Sequence, residues 1–178
     1  CRDFKLQVLD GLTGQVIQQV PTPEYTDYTD PYMRCFGDSI FFCDLDGVGR
    51  KANLLLKDRY DTVWAYDNDL NVLWMHHIKT GHYPMSCDVD GDGKDEVFIG
   101  YTLVDNDGSI LWSLDGTISD HMDGVFIGRL AGPDSPVRIV MGCSDEGFVM
   151  LDAKGNIVNR HFHGHCQGAT IARFKEGS

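Results

Sequence analysis

The sequence predicts an all-β chain, and within that class a β-propeller built from four-stranded antiparallel units. Three observations point there. Six-residue signatures recur at intervals of 41–44 residues. Short hairpins with acidic, glycine-rich turns recur between them. No stretch shows a helical period. A repeat of roughly 40–45 residues that holds four short strands describes one propeller blade. A helical solenoid would need a 3.6-residue period, and a simple sandwich would not explain the recurrence.

The first signature, Phe42-Cys43-Asp44-Leu45-Asp46-Gly47, matches Ser86-Cys87-Asp88-Val89-Asp90-Gly91. A weaker copy is Ile127-Gly128-Arg129-Leu130-Ala131-Gly132, and a fourth start is Ala169-Thr170-Ile171-Ala172-Arg173-Phe174. The hairpin signature begins at Val8, Ala65, Leu103 and Met150, and each copy turns on an aspartate: Asp10, Asp67, Asp105 and Asp152. Gly, Asn and Asp there supply the positive-φ positions of tight hairpins. These marks predict a partial blade over 1–20, blades near 39–78, 86–115 and 125–162, and the inner strand of a next blade over 169–174. That last strand could close a four-bladed ring only if another strand preceded Phe4, and Cys1-Arg2-Asp3 is too short. The expectation is therefore an arc of about four blades within a larger propeller. The remaining blades, on the same or a second chain, would be its partner.

Net charge is −12, from 15 Lys+Arg against 27 Asp+Glu, in 178 residues that are 42% hydrophobic. A phosphate backbone needs a basic face, so nucleic acid is excluded as a partner. No run approaches the ~18 apolar residues of a membrane helix. Six cysteines, none in CxxC spacing, argue against a zinc site and read as small core thiols. The chain lacks an initiator Met and starts within a strand-like run, so it reads as processed or excised.

The sharpest motif is Asp88-Val89-Asp90-Gly91-Asp92-Gly93-Lys94-Asp95-Glu96. Asp88, Asp90, Asp92 and Glu96 are spaced so that their oxygens, with the Lys94 carbonyl, converge inside a curling loop, as Ca²⁺ prefers. Position 12 is Ile99 rather than glutamate, and strands flank the loop, so it is not an EF-hand. Four adjacent carboxylates without a cation would repel. The expected role is structural. In the copy Asp44-Leu45-Asp46-Gly47-Val48-Gly49-Arg50-Lys51-Ala52, Val48 and Ala52 replace two ligands, and Arg50 and Lys51 neutralise the remainder. That loop is expected to bind no calcium. In the third copy only Asp134 is left.

His82, His121 and His165 each stand just before a predicted inner strand. Inner strands surround the axis, so the three imidazoles are expected around one central depression, with Asp123 beside them. Such a cluster suits substrate binding, base catalysis or a metal. Trp74 and Trp112 end equivalent strands and read as packing residues.

The Asp-x-Asp-Gly-Asp-Gly-x-x-Glu loop is similar to FG-GAP-type propeller repeats. The run from His82 through Trp112, followed by Asp120-His121-Met122-Asp123-Gly124-Val125-Phe126-Ile127-Gly128-Arg129-Leu130, resembles the catalytic propeller of family 11 rhamnogalacturonan lyases. The resemblance covers about 60–174 and is strongest over 82–129. It departs at Asp120 and Met122, which replace glycines of the family's turn, and at Arg129-Leu130-Ala131-Gly132. It implies an eight-bladed propeller, an extracellular or cell-surface location, and a polysaccharide substrate containing uronic acid, of the rhamnogalacturonan or pectin type. The implied chemistry is β-elimination. His121 or His82 would be the base, Asp123 would orient it or bind calcium, and Arg129 would pair with the uronate carboxylate. His165 would contact substrate. The competing expectation is a non-catalytic, calcium-stabilised propeller that binds glycan or protein.

Overall fold

The computed structural model describes residues 5–23 and 38–171. Cys1, Cys35 and positions 172–174 of the expected last strand lie outside them. Among the described residues the chain is all-β, with fourteen strands and no helix. Among these residues no helix is long and apolar enough to cross a membrane. The strands form four antiparallel sheets. A hairpin pairs β1 (Lys5–Leu9) with β2 (Val16–Pro21). Three four-stranded meanders follow, in which each strand pairs with its neighbour in sequence. The first holds β3 (Ser39–Cys43), β4 (Asn53–Lys57), β5 (Thr62–Tyr66) and β6 (Val72–His77). The second holds β7 (Met85–Cys87), β8 (Glu96–Ile99), β9 (Thr102–Val104) and β10 (Ile110–Ser113). The third holds β11 (Gly124–Arg129), β12 (Val137–Gly142), β13 (Phe148–Asp152) and β14 (Ile157–His161). Residues 169–171 carry no strand.

The hairpin turns follow from their aspartates. The Asp67 carboxylate accepts from Asp69 N at 2.9 Å and Asn71 N at 2.8 Å, and Asp152 holds Lys154 N and Asn156 N at 2.9 Å. Each carboxylate substitutes for backbone partners that a tight turn leaves unmade.

Middle strands β4, β5, β8 and β9 are buried on both faces. Their sequences are accordingly continuous apolar runs such as Leu54-Leu55-Leu56 rather than alternating ones. The last strands of the sheets are mostly exposed. Cores lie between consecutive sheets. Leu54, Leu56, Trp64 and Tyr66 face Leu6; Leu55 and Val63 meet Val97 and Val104; Phe98 and Leu103 meet Ile127, Ile139 and Leu151. Burying each such side chain stabilises the fold by about 1.5–3 kcal/mol, and Phe98→Ala, which opens a cavity, costs about 3–5 kcal/mol.

A second device ties sheet to sheet. Trp74 of β6 donates its indole N–H to Asn106 O at 3.1 Å, in the β9–β10 turn of the next sheet. Trp112 of β10 repeats this on Ala153 O at 3.0 Å. Cys43, Cys87, Cys143 and Cys166 are free thiols, and burial pushes Cys43 up to about 12 and Cys143 up to about 11. Strands β7 and β11, which open their sheets, lie against each other. The loops that lead into them therefore share one end of the molecule.

Candidate functional site

His82 sits in the β6–β7 loop, and His121 and Asp123 in the β10–β11 loop. The two loops are joined by backbone: His82 N donates to Met122 O at 2.9 Å. Gly81 makes that approach possible. Its φ is +59°, and a Cβ there would lie 2.6 Å from Met122 O. A side chain at 81 would push the loops apart. Asp123 is anchored by its own N–H on Gly142 O at 2.9 Å.

The result is a convergence of acceptors. His121 Nε2 lies 3.2 Å and His82 Nε2 3.5 Å from Asp123 Oδ1, and His165 Nε2 lies 4.0 Å from Asp123 Oδ2. Asp123 is 8% exposed, and its Oδ2 is buried without a hydrogen-bond partner. His121 Nδ1 is 2.8 Å from Asp120 Oδ1, so the side of its ring facing Asp123 is fixed. Asp120 is held below the carboxylate range, at about 2: burial raises it, but bonds from His121 N, Asp145 N, the His121 ring and Ser144 outweigh that. Burial lowers the His82 pKa, against the opposing charge of Asp123. His165 stands on the segment after β14, tied down by Ser144–Cys166 backbone bonds of 3.2 and 2.9 Å. Asp145, 2.9 Å from its Nδ1, raises its pKa.

His82, His121 and Asp123 bring ligand atoms within 4.8 Å of one another, close enough for one metal ion. With Nδ1–H of His121 donated to Asp120, its Nε2 lone pair faces a carboxylate. Two imidazole nitrogens against one carboxylate require a shared proton or a cation, because lone pairs alone repel. The donor set suits a divalent cation.

Arg129 is not brought to this centre. It ends β11, the strand that Asp123 precedes, and five or six residues at about 3.3 Å each separate them. Its guanidinium donates to Ser135 O at 2.8 Å, across the β11–β12 turn.

The Asp88 loop is a second acidic centre. Asp88, Asp90 and Glu96 converge within the same 4.8 Å limit. Glu96 opens β8 and is fully buried; its Oε2 accepts from Val89 N at 2.6 Å, and its Oε1 has no partner. Burial pushes its pKa up to about 7, with Asp90 and Asp105 adding to the rise. Asp92 lies outside that group; it is exposed, and Lys94 N binds its Oδ1 at 2.8 Å.

Several functional neighbours escaped sequence reasoning. Asp95 fastens this loop to the preceding sheet, accepting from Asp44 N and Ser86 Oγ at 2.8 Å and pairing with Lys51. Its place one residue before Glu96 gave no signal, because the side chain points away from the loop's carboxylates. Tyr60 meets both His82 and His121, with ring centroids 5.4 and 5.8 Å away. It lines a cavity of about 450 Å³ beside His121, with Lys79, Asp61 and Asp120. Nothing in the spacing of Tyr60 marks it.

Residues 52–171 match the family described as rhamnogalacturonan lyase family 11, C-terminal domain. No curated protein matches the chain. Among solved structures it is similar to rhamnogalacturonan lyase YesW, at 25% identity and TM-score 0.73, over 91% of this chain and 31% of that one. It is similar to the exotype rhamnogalacturonan lyase YesX at 26% identity and TM-score 0.68, over 92% and 30%. The Bacillus licheniformis rhamnogalacturonan lyase PL11 shares the fold at 24% identity and TM-score 0.68, over 91% and 31%. The chain thus spans 30–31% of the length of these proteins. Most of its length matches the family, and the chain belongs to rhamnogalacturonan lyase family 11.

Proposed function

We propose that the chain is part of an extracellular or cell-surface lyase that cleaves a uronic-acid-containing polysaccharide, of the rhamnogalacturonan or pectin type, by β-elimination. The observation that carries this is the convergence of His82 and His121 on the buried, half-unpartnered carboxylate of Asp123 beside an open cavity. Membership of the family and the names of YesW and YesX support the substrate class.

In this reading the sheets are blades of a propeller, and the chain is an arc of about four blades within a larger, eight-bladed ring. The stacked meanders, with β7 against β11 at their inner edges, support it. The remaining blades are its structural partner.

In β-elimination a base takes the C5 proton of the uronate, negative charge gathers on the adjoining carboxylate, the C4–O bond breaks as the C4=C5 double bond forms, and the leaving oxygen takes up a proton. His82, kept neutral by burial, and His121, oriented by Asp120, are the candidate bases. Asp123 fixes both rings, and His165 closes the far side of the centre. Were a divalent cation held by His82, His121 and Asp123 instead, it would stabilise the developing carboxylate charge, and the two imidazole lone pairs would be engaged by it, leaving the proton to another base.

The Asp88 loop, in the same reading, holds a structural Ca²⁺ through Asp88, Asp90, Asp92, Glu96 and the Lys94 carbonyl. The buried, unpartnered Glu96 Oε1 supports it, since an uncompensated carboxylate there is costly. The Asp44 loop holds none.

The test is the ultraviolet absorbance of unsaturated uronate released from rhamnogalacturonan by the full-length protein. It is expected to rise with wild type and to be lost in His121→Ala and Asp123→Asn, with Tm of the His121→Ala variant moved by only a degree or two, as for a benign surface change. No rise with wild type would overturn the reading. The placement of Arg129, remote from the centre, favours a second one: a non-catalytic propeller that binds glycan or protein. It would show binding without product.

A further inference from the structure

The loop that carries His82 also carries Lys79, and it is clamped along its length. Thr80 N donates to Tyr60 O at 2.7 Å, and His82 N to Met122 O at 2.9 Å. A Cβ on Gly100 would fall 2.0 Å from Lys79 O, so the β8–β9 turn presses directly on the Lys79 backbone. Lys79 and His82 are therefore fixed relative to each other, at the two ends of a four-residue stretch within the β6–β7 loop. His82 faces the Asp123 centre, and Lys79 lines the adjoining cavity.

That cavity, at about 450 Å³, is within the usual range for small-ligand sites of about 300–1,000 Å³. Lys79 is the cation among its described lining residues, which also include the carboxylates of Asp61 and Asp120. Asp120 is already engaged by His121 and by Asp145 N. The Lys79 ammonium lies 3.3 Å from Asp115, but 60% of its side chain is exposed and Asp115 is 39% exposed. Such surface pairs contribute little, so the ammonium can exchange Asp115 for another carboxylate at small cost. The Tyr60 ring is held edge-on by His82 and carries the Arg59 guanidinium 5.1 Å from its centroid. It gives the cavity a fixed aromatic wall, suited to the apolar face of a pyranose.

We propose that this cavity is a uronate subsite, in which Lys79 pairs with the sugar carboxylate and Tyr60 lies against the ring. The inference rests on the lyase reading above and adds to it how a chain of net charge −12 accepts a polyanion. Lys79 supplies the local positive charge. Without it the carboxylates of Asp61 and Asp120 would face a uronate with no lysine or arginine among the described lining residues to offset them.

The test uses the full-length protein with two probes: rhamnogalacturonan oligosaccharides with free carboxylates, and the same oligosaccharides with carboxyls reduced to neutral alcohols. For Lys79→Met, KM for the free acid is expected to rise about tenfold or more, with kcat falling less than KM rises, as for lost ground-state binding. The Kd of the reduced probe is expected to stay within about twofold, because loss of a charge pair is felt by the charged ligand. Lys79→Arg should recover most of the loss. Added salt should raise KM of wild type and leave that of Lys79→Met nearly flat. If KM for the free acid is unmoved, or both probes weaken equally, the subsite is overturned while the lyase reading stands. If wild type binds without cleaving, the same comparison is made on Kd. If it neither cleaves nor binds the free acid, both fall together.

Discussion

The Asp88 and Asp44 loops occupy the same place in consecutive sheets and solve the same electrostatic problem in opposite ways. In each, an aspartate at the loop's start gathers backbone amides. Gly91 N and Gly93 N reach Asp88 at 2.7 and 3.2 Å, while Val48 N and Gly49 N reach Asp44 at 2.9 and 2.7 Å. The difference lies across the ladder. Cys87 pairs with Glu96, and Cys43 pairs with Asn53, so Asn53 holds the position of Glu96. Glu96 Oε2 accepts from Val89 N, and Asn53 Oδ1 accepts from Leu45 N at 2.8 Å in the same way. The second atom of each side chain then diverges. The Asn53 amide donates to Asp46 at 2.9 Å, whereas Glu96 Oε1 is left buried and bare. An amide gives the Asp44 loop its own donor. The Asp88 loop has no such donor at Glu96 Oε1, and the proposed calcium would take its place by accepting that oxygen's lone pair.

Removing the proposed ion is the largest perturbation. At a calcium concentration of about 100 Kd, binding stabilises by about 2.7 kcal/mol. For a domain of this size chelation should then lower Tm by roughly 5–10 °C. Asp90→Ala should show the same loss and no further response to chelator, whereas Asp46→Ala should keep the full calcium response. A melting curve unmoved by chelator would dissolve the contrast between the loops.

A pH series sharpens it next. Glu96 is raised from 4.5 to about 7 by burial, so between those values the folded, metal-free chain binds more protons than the unfolded one. Its contribution is complete below pH 4.5 and is lost as pH rises toward 7, by up to about 3 kcal/mol. Calcium should flatten that slope, and so should Glu96→Gln. A slope equally steep with and without calcium would show that Glu96 does not face the ion.

Asn53→Asp comes third. It removes the donor to Asp46 and adds a buried charge, at a cost of about 1–3 kcal/mol in chelator. Calcium should now return part of that stability, measured as a rise in Tm absent from wild-type Asn53. No gain would mean that more than one side chain separates the two loops. Lys51→Met is the smallest, within about 1 kcal/mol by thermal melting, since half of the Lys51 side chain is exposed beside Asp95.

Much of the fold is legible in the residues because its signals are local. The aspartate turns at 10, 67, 105 and 152 bond to amides within four residues of themselves, and continuous apolar runs mark the doubly buried strands. The role of Asn53 was not legible. The Asp44 loop carries one more residue than the Asp88 loop before its return strand, so an ungapped comparison sets Ala52 against Glu96. Only the strand register shows which side chain crosses to the loop.

The same division holds at the histidine centre. Sequence alone determined that His82 and His121 stand at corresponding points, three residues before β7 and β11, because a repeat preserves position along the chain; the strand expected after His165 is absent from 169–171. It also determined the Asp88 loop, whose members lie within nine residues. That the histidines meet on Asp123 Oδ1 and Oδ2, that Arg129 points into its own turn, and that Tyr60 and Lys79 wall a cavity beside them was decided by tertiary structure. His82 and His165 each stand about 40 positions from Asp123, and Tyr60 about 20 and 60 from His82 and His121. Their distances are set by how neighbouring sheets face each other, and sheet packing depends on every interdigitating side chain between them rather than on any local spacing.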